Sequence, residues 1–315
     1  MRPTRCKLVP IMNIEAPTGC GTALVTPFRA DGSLDEPALI AHVDLQITSG
    51  VNFLIPCGTT GEASTLTDDE WIRVVTLTVQ TAAGRVPVYG GCTHNSTAVA
   101  CERAARISQI LGLTGILSAS PYYNKPSQEG QFQHFRAIAA ATPLPIILYN
   151  IPSRTGVNIE PATILRLATA CPNIVAVKES SGNLAQIAEC ITQAAPGFRV
   201  YAGDDGIALD AIEIGAHGLI SVASNEIPAE MSDMIAAALA RNWPKARGLQ
   251  SRFAALMKAN FCEPNPSPAK AVLSMMGRMT ETVRLPIVPV STEARAKLTT
   301  IATDLGLIQT AKSNG

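Results

Sequence analysis

Short apolar runs recur along the chain, and between them lie longer stretches in which apolar residues return every three or four positions. The runs are "GTALVTPF" from 21, "VNFLIPC" from 51, "VPVYGGC" from 86, "TGILSAS" from 114, "LPIILYN" from 144, "NIVAVKE" from 173, "FRVYAGD" from 198 and "HGLISV" from 217. Their length and β-prone residues predict eight strands. The intervening stretches predict helices. Over 37–49, Leu39, Ile40, Val43 and Ile47 fall on one helical face. Thr67 and Glu70 have the spacing of a capping box, and Pro37 and Pro161 stand where a first helical turn accepts proline.

None of the strands alternates apolar with polar residues, so both faces are expected to be buried, as in a parallel sheet covered by helices. Eight β and α units in alternation predict a closed (β/α)8 TIM barrel, an α/β fold. A doubly wound sheet usually has fewer strands and often a GxGxxG turn, which is absent. Beyond residue 222 the pattern changes. Residues 228–280 and 292–305 read as helical, with loops at "EPNPSP" and "RLPIVPVS". The expected organisation is an N-terminal extension over 1–19, with Met12 as an alternative start, a barrel over 20–227, and a C-terminal helical region over 228–315 that could build an oligomer interface.

Composition narrows the function. Apolar residues make up 47% of the 315 and charged residues 16%, against roughly 25% charged in an average soluble protein. Much of the surface is therefore expected to be covered by other subunits. Lys+Arg and Asp+Glu balance at 25 each, which gives no reason to expect nucleic acid or an anionic membrane as partner. No apolar run reaches the about 18 residues of a membrane helix, and the N-terminus lacks the apolar core of a signal peptide. Eight cysteines without a CxxC pair read as reduced thiols, mostly buried hydrophobes. A cytoplasmic protein is expected. His42, His94, His134 and His217 show no ligand spacing, so no metal is expected.

Catalytic groups of such a barrel sit at the C-terminal ends of its strands. There the sixth strand ends on Lys178 and the fifth on Tyr149, and neighbouring strands lie about 4.8 Å apart. Burial at an apolar mouth disfavours an ammonium over a free amine. A free amine attacks a ketone to form a Schiff base and then an enamine, and a phenol can shuttle the protons. A lysine snorkelling to solvent is the equally weighted alternative. "GTTGE" at 58–62 offers hydroxyls and backbone N–H groups to a carboxylate or phosphate, but lacks the GK[ST] of a nucleotide loop. Arg154, just past the fifth strand, could clamp a carboxylate, although a surface ion pair is commoner. Asp204 and Asp205 read as helix caps.

Taken in order, "CGTTGEASTL", "SPYYNKPSQEG", "LYNIPSRTG", "VAVKESSGN", "AGDD" and "EPNPSPAK" resemble the dihydrodipicolinate synthases, over about residues 20–305. The lysine strand and "GTTGE" are shared with the wider pyruvate-dependent aldolases, while the arginine of "YNIPSRTG" is more specific to the synthases. The resemblance implies a lyase condensing pyruvate with aspartate 4-semialdehyde, on the route to diaminopimelate and lysine, with no cofactor beyond the Schiff base on the enzyme. It implies Lys178 as Schiff-base lysine and Tyr149, Thr59 and Tyr123 as a proton relay, with Tyr123 lent by a neighbouring subunit. It further implies Thr60 on the pyruvate carboxylate, Arg154 on the semialdehyde carboxylate, Gly203 and Ile220 lining the pyruvate pocket, and a homotetramer built as a dimer of dimers.

In lysine-inhibited members the inhibitor sits at the dimer interface. Ala63, Ser64, Asp68, Trp71, Asn95, Val99 and Tyr122 stand at that site here. Asn95 and Tyr122 match the familiar pattern, but Asp68 and Trp71 replace histidines and Val99 replaces a glutamate. A valine cannot accept from an ammonium, so weak or absent feedback inhibition is expected. Two other readings stay open: a pyruvate aldolase acting on sialic acid or 2-keto-3-deoxy sugar acids, and a barrel that only binds a keto acid.

Overall fold

The computed structural model describes residues 16–309; residues 1–15, with the proposed start at Met12, lie outside them. Eight strands form one sheet: β1 (Gly19–Ala23), β2 (Phe53–Ile55), β3 (Tyr89–Gly91), β4 (Gly115–Ala119), β5 (Ile146–Asn150), β6 (Ile174–Glu179), β7 (Arg199–Ala202) and β8 (Gly218–Ser221). Their spatial order is β2-β1-β8-β7-β6-β5-β4-β3. All pairings are parallel, and a bridge between Leu54 and Val88 brings β2 and β3 together, so the barrel is nearly closed. This is the expected TIM barrel. β1 begins at Gly19, before the expected run, and ends at Ala23, short of the expected Phe28.

Alternate strand residues point to two cores. Phe53, Ile55, Tyr89, Leu117, Ile147, Tyr149, Ala176, Tyr201 and Ile220 fill the barrel interior. Leu54, Ile116, Ile146, Leu148, Val177, Val200 and Leu219 pack outward against the helices. This double burial is why the strands carry no polar face. Ala16 joins the interior core, and Tyr201 Oη donates to the Pro17 carbonyl, so these residues close the barrel bottom.

The helices are α1 (Glu36–Thr48), α2 (Asp68–Ala82), α3 (Thr97–Ile107), α4 (Gln128–Ala141), α5 (Pro152–Thr155), α6 (Pro161–Ala170), α7 (Leu184–Gln193), α8 (Ala208–Glu213), α9 (Pro228–Leu239), α10 (Trp243–Ala259), α11 (Ser267–Met275) and α12 (Thr292–Asp304). The Thr67–Glu70 capping box forms, and Pro37 and Pro161 open α1 and α6. The buried face of α1 differs from the expected one. It consists of Leu39, His42, Val43 and Gln46, while Ile40 is exposed. The two polar residues lie inside because they have partners there: His42 Nε2 pairs with Asn225 Oδ1 at 2.9 Å, and Gln46 Oε1 accepts from Thr22 at 2.7 Å. An apolar stripe alone could not reveal this.

The C-terminal helices reach the barrel mouth rather than merely covering one side. Lys270 of α11 is fully buried; its Nζ donates to Glu62 Oε1 at 2.7 Å and to the Thr26 carbonyl at 2.8 Å, and lies 4.4 Å from the centre of the Phe28 ring. Arg284 donates its backbone N–H to Glu62 Oε2 at 3.0 Å, and its guanidinium grips Glu70 at 2.6 and 2.7 Å. Among the described residues, no helix is long and apolar enough to cross a membrane.

Candidate active site

Lys178 is the fifth residue of β6, and the parity that directs Ala176 into the barrel directs Lys178 into its mouth. The strand register sets it beside Tyr149 of β5 and Tyr201 of β7. The side chain is 5% exposed, and Nζ lies 4.2 Å from the centre of the Tyr149 ring. Among the described residues it has no ion-pair or hydrogen-bond partner; the π face is its only electrostatic neighbour of note. The strand end is fixed from the opposite side. Glu179 is fully buried and accepts from Asn150 Nδ2 at 2.9 Å, Gln186 Nε2 at 2.8 Å and the Ser181 N–H at 2.7 Å. Three donors locking the next residue leave Lys178 little freedom to shift along the strand.

Gly203, just beyond β7, is required by space. A Cβ there would stand 2.9 Å from Lys178 Cε, closer than side chains pack. The residue therefore sits against the lysine stem, as the sequence reading places it at the pocket.

Lys178 faces a pocket lined by Ala23, Ile55, Gly58, Thr59, Thr60, Leu117, Tyr149, Ile151, Arg154, Gly203, Val222, Phe261 and Asn265. Lys178, Tyr149, Thr59, Thr60, Arg154 and Gly203 are thus brought together. Ile220 is not in the wall: it is fully buried in the barrel core, and Val222, two residues on along the same side, takes its place. Tyr123 also stands apart. It is 88% exposed with a φ of 76°, and its N–H is held by the Thr155 carbonyl at 3.3 Å. A large ring in left-handed backbone, pushed into solvent, has no intramolecular reason to be there.

The "GTTGE" turn differs in part from the expected anion cradle. The N–H groups of Gly61, Glu62 and Ala63 bond back to the carbonyls of Gly58 and Thr59 at 3.0–3.4 Å. The groups left for a ligand are the Thr59 and Thr60 hydroxyls and their own N–H groups, which carry no backbone bond among the described residues. Glu62 faces away from the pocket into the pair with Lys270, in left-handed backbone with a φ of 54°. Phe261 and Asn265 come from the C-terminal region, and Asn265 Nδ2 donates to Thr60 Oγ1 at 2.9 Å. No periodicity or motif chemistry marked these two residues or Val222 as pocket lining; only the fold joins position 265 to position 60.

The residues at the possible regulatory site have their own commitments. Asp68 pairs with Arg103 at 2.5 Å and Arg106 at 3.6 Å. Trp71 is buried, its Nε1 donates to the Gly91 carbonyl at 2.8 Å, and Arg103 lies 5.3 Å from its ring centre. Asn95 Nδ2 donates to the Tyr122 carbonyl at 3.3 Å. Val99 is half-buried on α3, and Ala63 and Ser64 begin a short 3-10 turn after "GTTGE".

The remaining candidates are structural. His42 meets Asn225, His134 meets Thr97, His94 Nδ1 accepts from the Ser96 N–H and His217 Nδ1 from that of Val200, so the four stand in four places. Asp204 caps the turn after β7 as expected. Asp205 is instead buried, and its Oδ2 accepts from the N–H groups of Val222 and Ala223 at 3.2 and 3.0 Å, which braces the end of β8. Burial pushes the thiols of Cys57 and Cys92 above their ordinary range, so neither competes with Lys178 as a nucleophile.

Residues 16–305 match the Dihydrodipicolinate synthetase family. The chain is 58% identical over 291 residues to the 4-hydroxy-tetrahydrodipicolinate synthase of Acidobacterium capsulatum, covering 92% of this chain and 96% of that one. It is 55% identical to the synthase of the same description from Koribacter versatilis, over 93% of this chain and 97% of the relative. Among solved structures it is similar to the chloride-inhibited dihydrodipicolinate synthase of Acinetobacter baumannii complexed with pyruvate, with a TM-score of 0.90 and 39% identity over 92% of this chain and 99% of the other. A match over nearly the whole barrel and its C-terminal helices, with the lysine, the tyrosine and the arginine gathered at one mouth, places this chain in the dihydrodipicolinate synthetase family.

Proposed function

We propose that the protein is a 4-hydroxy-tetrahydrodipicolinate synthase, condensing pyruvate with aspartate 4-semialdehyde through a Schiff base on Lys178. The observation that carries this reading is the buried Lys178 amine, without an anionic partner among the described residues and 4.2 Å from the Tyr149 ring centre. Its amine attacks the keto carbon of pyruvate to give a carbinolamine, which loses water to form the imine. Loss of a methyl proton gives the enamine, whose carbon attacks the aldehyde of the second substrate. The amino group of that substrate then displaces Lys178 from the imine carbon, closing the ring and restoring the enzyme amine. The chemistry needs no added cofactor or metal.

Each proton movement needs a donor and acceptor near the lysine. Tyr149 and Thr59 share the pocket and fill that role. We assign Tyr123 to the pocket of a neighbouring subunit, which accounts for its exposure and its left-handed backbone. A homotetramer built as a dimer of dimers follows as the proposed assembly. The Thr60 hydroxyl holds the pyruvate carboxylate, and Arg154, at the pocket edge, receives the carboxylate of the semialdehyde. A sugar-acid aldehyde has no carboxylate at that end for Arg154 to clamp, so the arginine favours the semialdehyde.

We also propose weak feedback by lysine. Val99 offers no acceptor to an ammonium, Asp68 is already committed to two arginines, and Trp71 is committed to Gly91. Sub-millimolar half-inhibition by lysine would contradict this. The principal test is turnover of aspartate semialdehyde with pyruvate, coupled to reduction of the product. Pyruvate-dependent turnover is expected, and silence with both substrates present would overturn the proposal.

A further inference from the structure

Asn265 belongs to the C-terminal helical region, yet it stands in the pocket wall with Lys178. It is 3% exposed. Its Nδ2 donates to Thr60 Oγ1 at 2.9 Å, while its Oδ1 has no hydrogen-bond partner among the described residues. A threonine hydroxyl has a single proton and can either donate it to a neighbouring acceptor or direct it elsewhere. Because the Thr60 oxygen already accepts from Asn265, its proton is free to point into the pocket. The asparagine therefore sets the polarity of Thr60 as a donor, which suits an anion.

The turn carrying Thr60 is held from the same side. Lys270, five residues beyond Asn265, binds Glu62 at 2.7 Å, and Thr26 Oγ1 donates to the Gly61 carbonyl at 2.7 Å. Residues 60, 61 and 62 are thus each fixed by a separate bond, and two of the three come from the segment around α11. Of these bonds, the one from Asn265 bears on a group that faces the pocket.

We propose that Asn265 is a positioning residue for keto-acid binding, fixing Thr60 as a hydrogen-bond donor to the substrate carboxylate. The inference rests on the reading of Thr60 as the carboxylate-holding residue, and it adds a specificity device supplied by the C-terminal helices. A neutral side-chain amide at position 265 favours an anion next to Thr60. An aspartate of the same shape would take the Thr60 proton for itself and place a negative charge beside the substrate's own.

The test is the rate of cyanoborohydride trapping at Lys178 against substrate concentration, with pyruvate and with its neutral amide, pyruvamide. In Asn265→Asp the pyruvate concentration for half-maximal trapping rises by about tenfold or more, while the pyruvamide value changes far less. Asn265→Ala raises the pyruvate value by a smaller factor, and adds nothing on a Thr60→Val background because the two act through one group. This second variant and its double keep the test decisive if the aspartate form does not fold. Wild-type pyruvate dependence in Asn265→Asp, or an equal loss for pyruvate and pyruvamide, overturns the inference and leaves Asn265 with a packing role. Absence of trapping in the unsubstituted protein would be a different result: it removes the Schiff-base reading itself, and this inference with it.

Discussion

Two lysines are buried among the described residues, Lys178 and Lys270, and their surroundings could hardly differ more. Lys270 has a carboxylate at 2.7 Å, a carbonyl at 2.8 Å and the ring of Phe28 beneath it. Lys178 has a ring face and nothing else polar within bonding distance among the described residues. Burying an ammonium is costly unless it is paired and hydrogen-bonded. Lys270 meets that requirement and serves to join the C-terminal helices to the "GTTGE" turn. Lys178 has no such partners, so its Nζ is not engaged by another side chain and faces the pocket. A buried lysine held by partners joins two parts of the fold, whereas one without them is left to meet a substrate.

The largest effect is expected at Lys178 itself. Lys178→Ala should keep its fold, since no bond is lost, but reduce turnover by at least about 10³-fold and abolish trapping. Retained turnover would show that another amine does the work. Lys270→Met should show the opposite profile. It strands the Glu62 carboxylate in a buried site, so chemical denaturation should reveal a loss of about 3–5 kcal/mol. Adding Glu62→Gln should recover part of that loss, and an unchanged stability in the single variant would mean the pair is not a buried partner system.

Arg154→Ala sharpens the division between the two substrates. Trapping with pyruvate should be unchanged, while kcat/KM for the semialdehyde should fall by about 10–100-fold, as expected for a lost bond between charged groups. Normal kinetics for the semialdehyde would remove the arginine's role. The smallest effect concerns the outer layer of the Lys270 system. Arg284 holds the Glu70 carboxyl well below its ordinary 4.5, at about 2. A depressed carboxylate contributes stability that is present above its unfolded value and is lost as pH falls. The melting-temperature gap between the native chain and Glu70→Gln should therefore be full at pH 7 and close between about pH 4.5 and 2. A gap independent of pH would mean that the ion pair contributes nothing.

The barrel was legible because its strands are buried on both faces, which writes eight short apolar runs into the chain. The catalytic strand was legible for a related reason, since a lysine ending such a run is out of place. The buried face of α1 was misread because His42 and Gln46 are satisfied by Asn225 and Thr22, partners contributed by distant parts of the chain. Glu62 looked like part of an anion-binding turn, and its actual partner, Lys270, lies 208 positions away. Asn265 lay within the "EPNPSPAK" motif, but nothing in that motif marked it as part of the pocket wall. Long-range polar contacts leave no period in a sequence, so the walls of the site were harder to read than its reactive group.

The most direct test is mass mapping of the intact protein after cyanoborohydride reduction with pyruvate. One covalent pyruvate adduct is expected, located on Lys178, with Lys270 unmodified. An adduct on Lys270 or on another lysine, or no adduct at all, would contradict the assignment of the unpaired buried amine as the nucleophile.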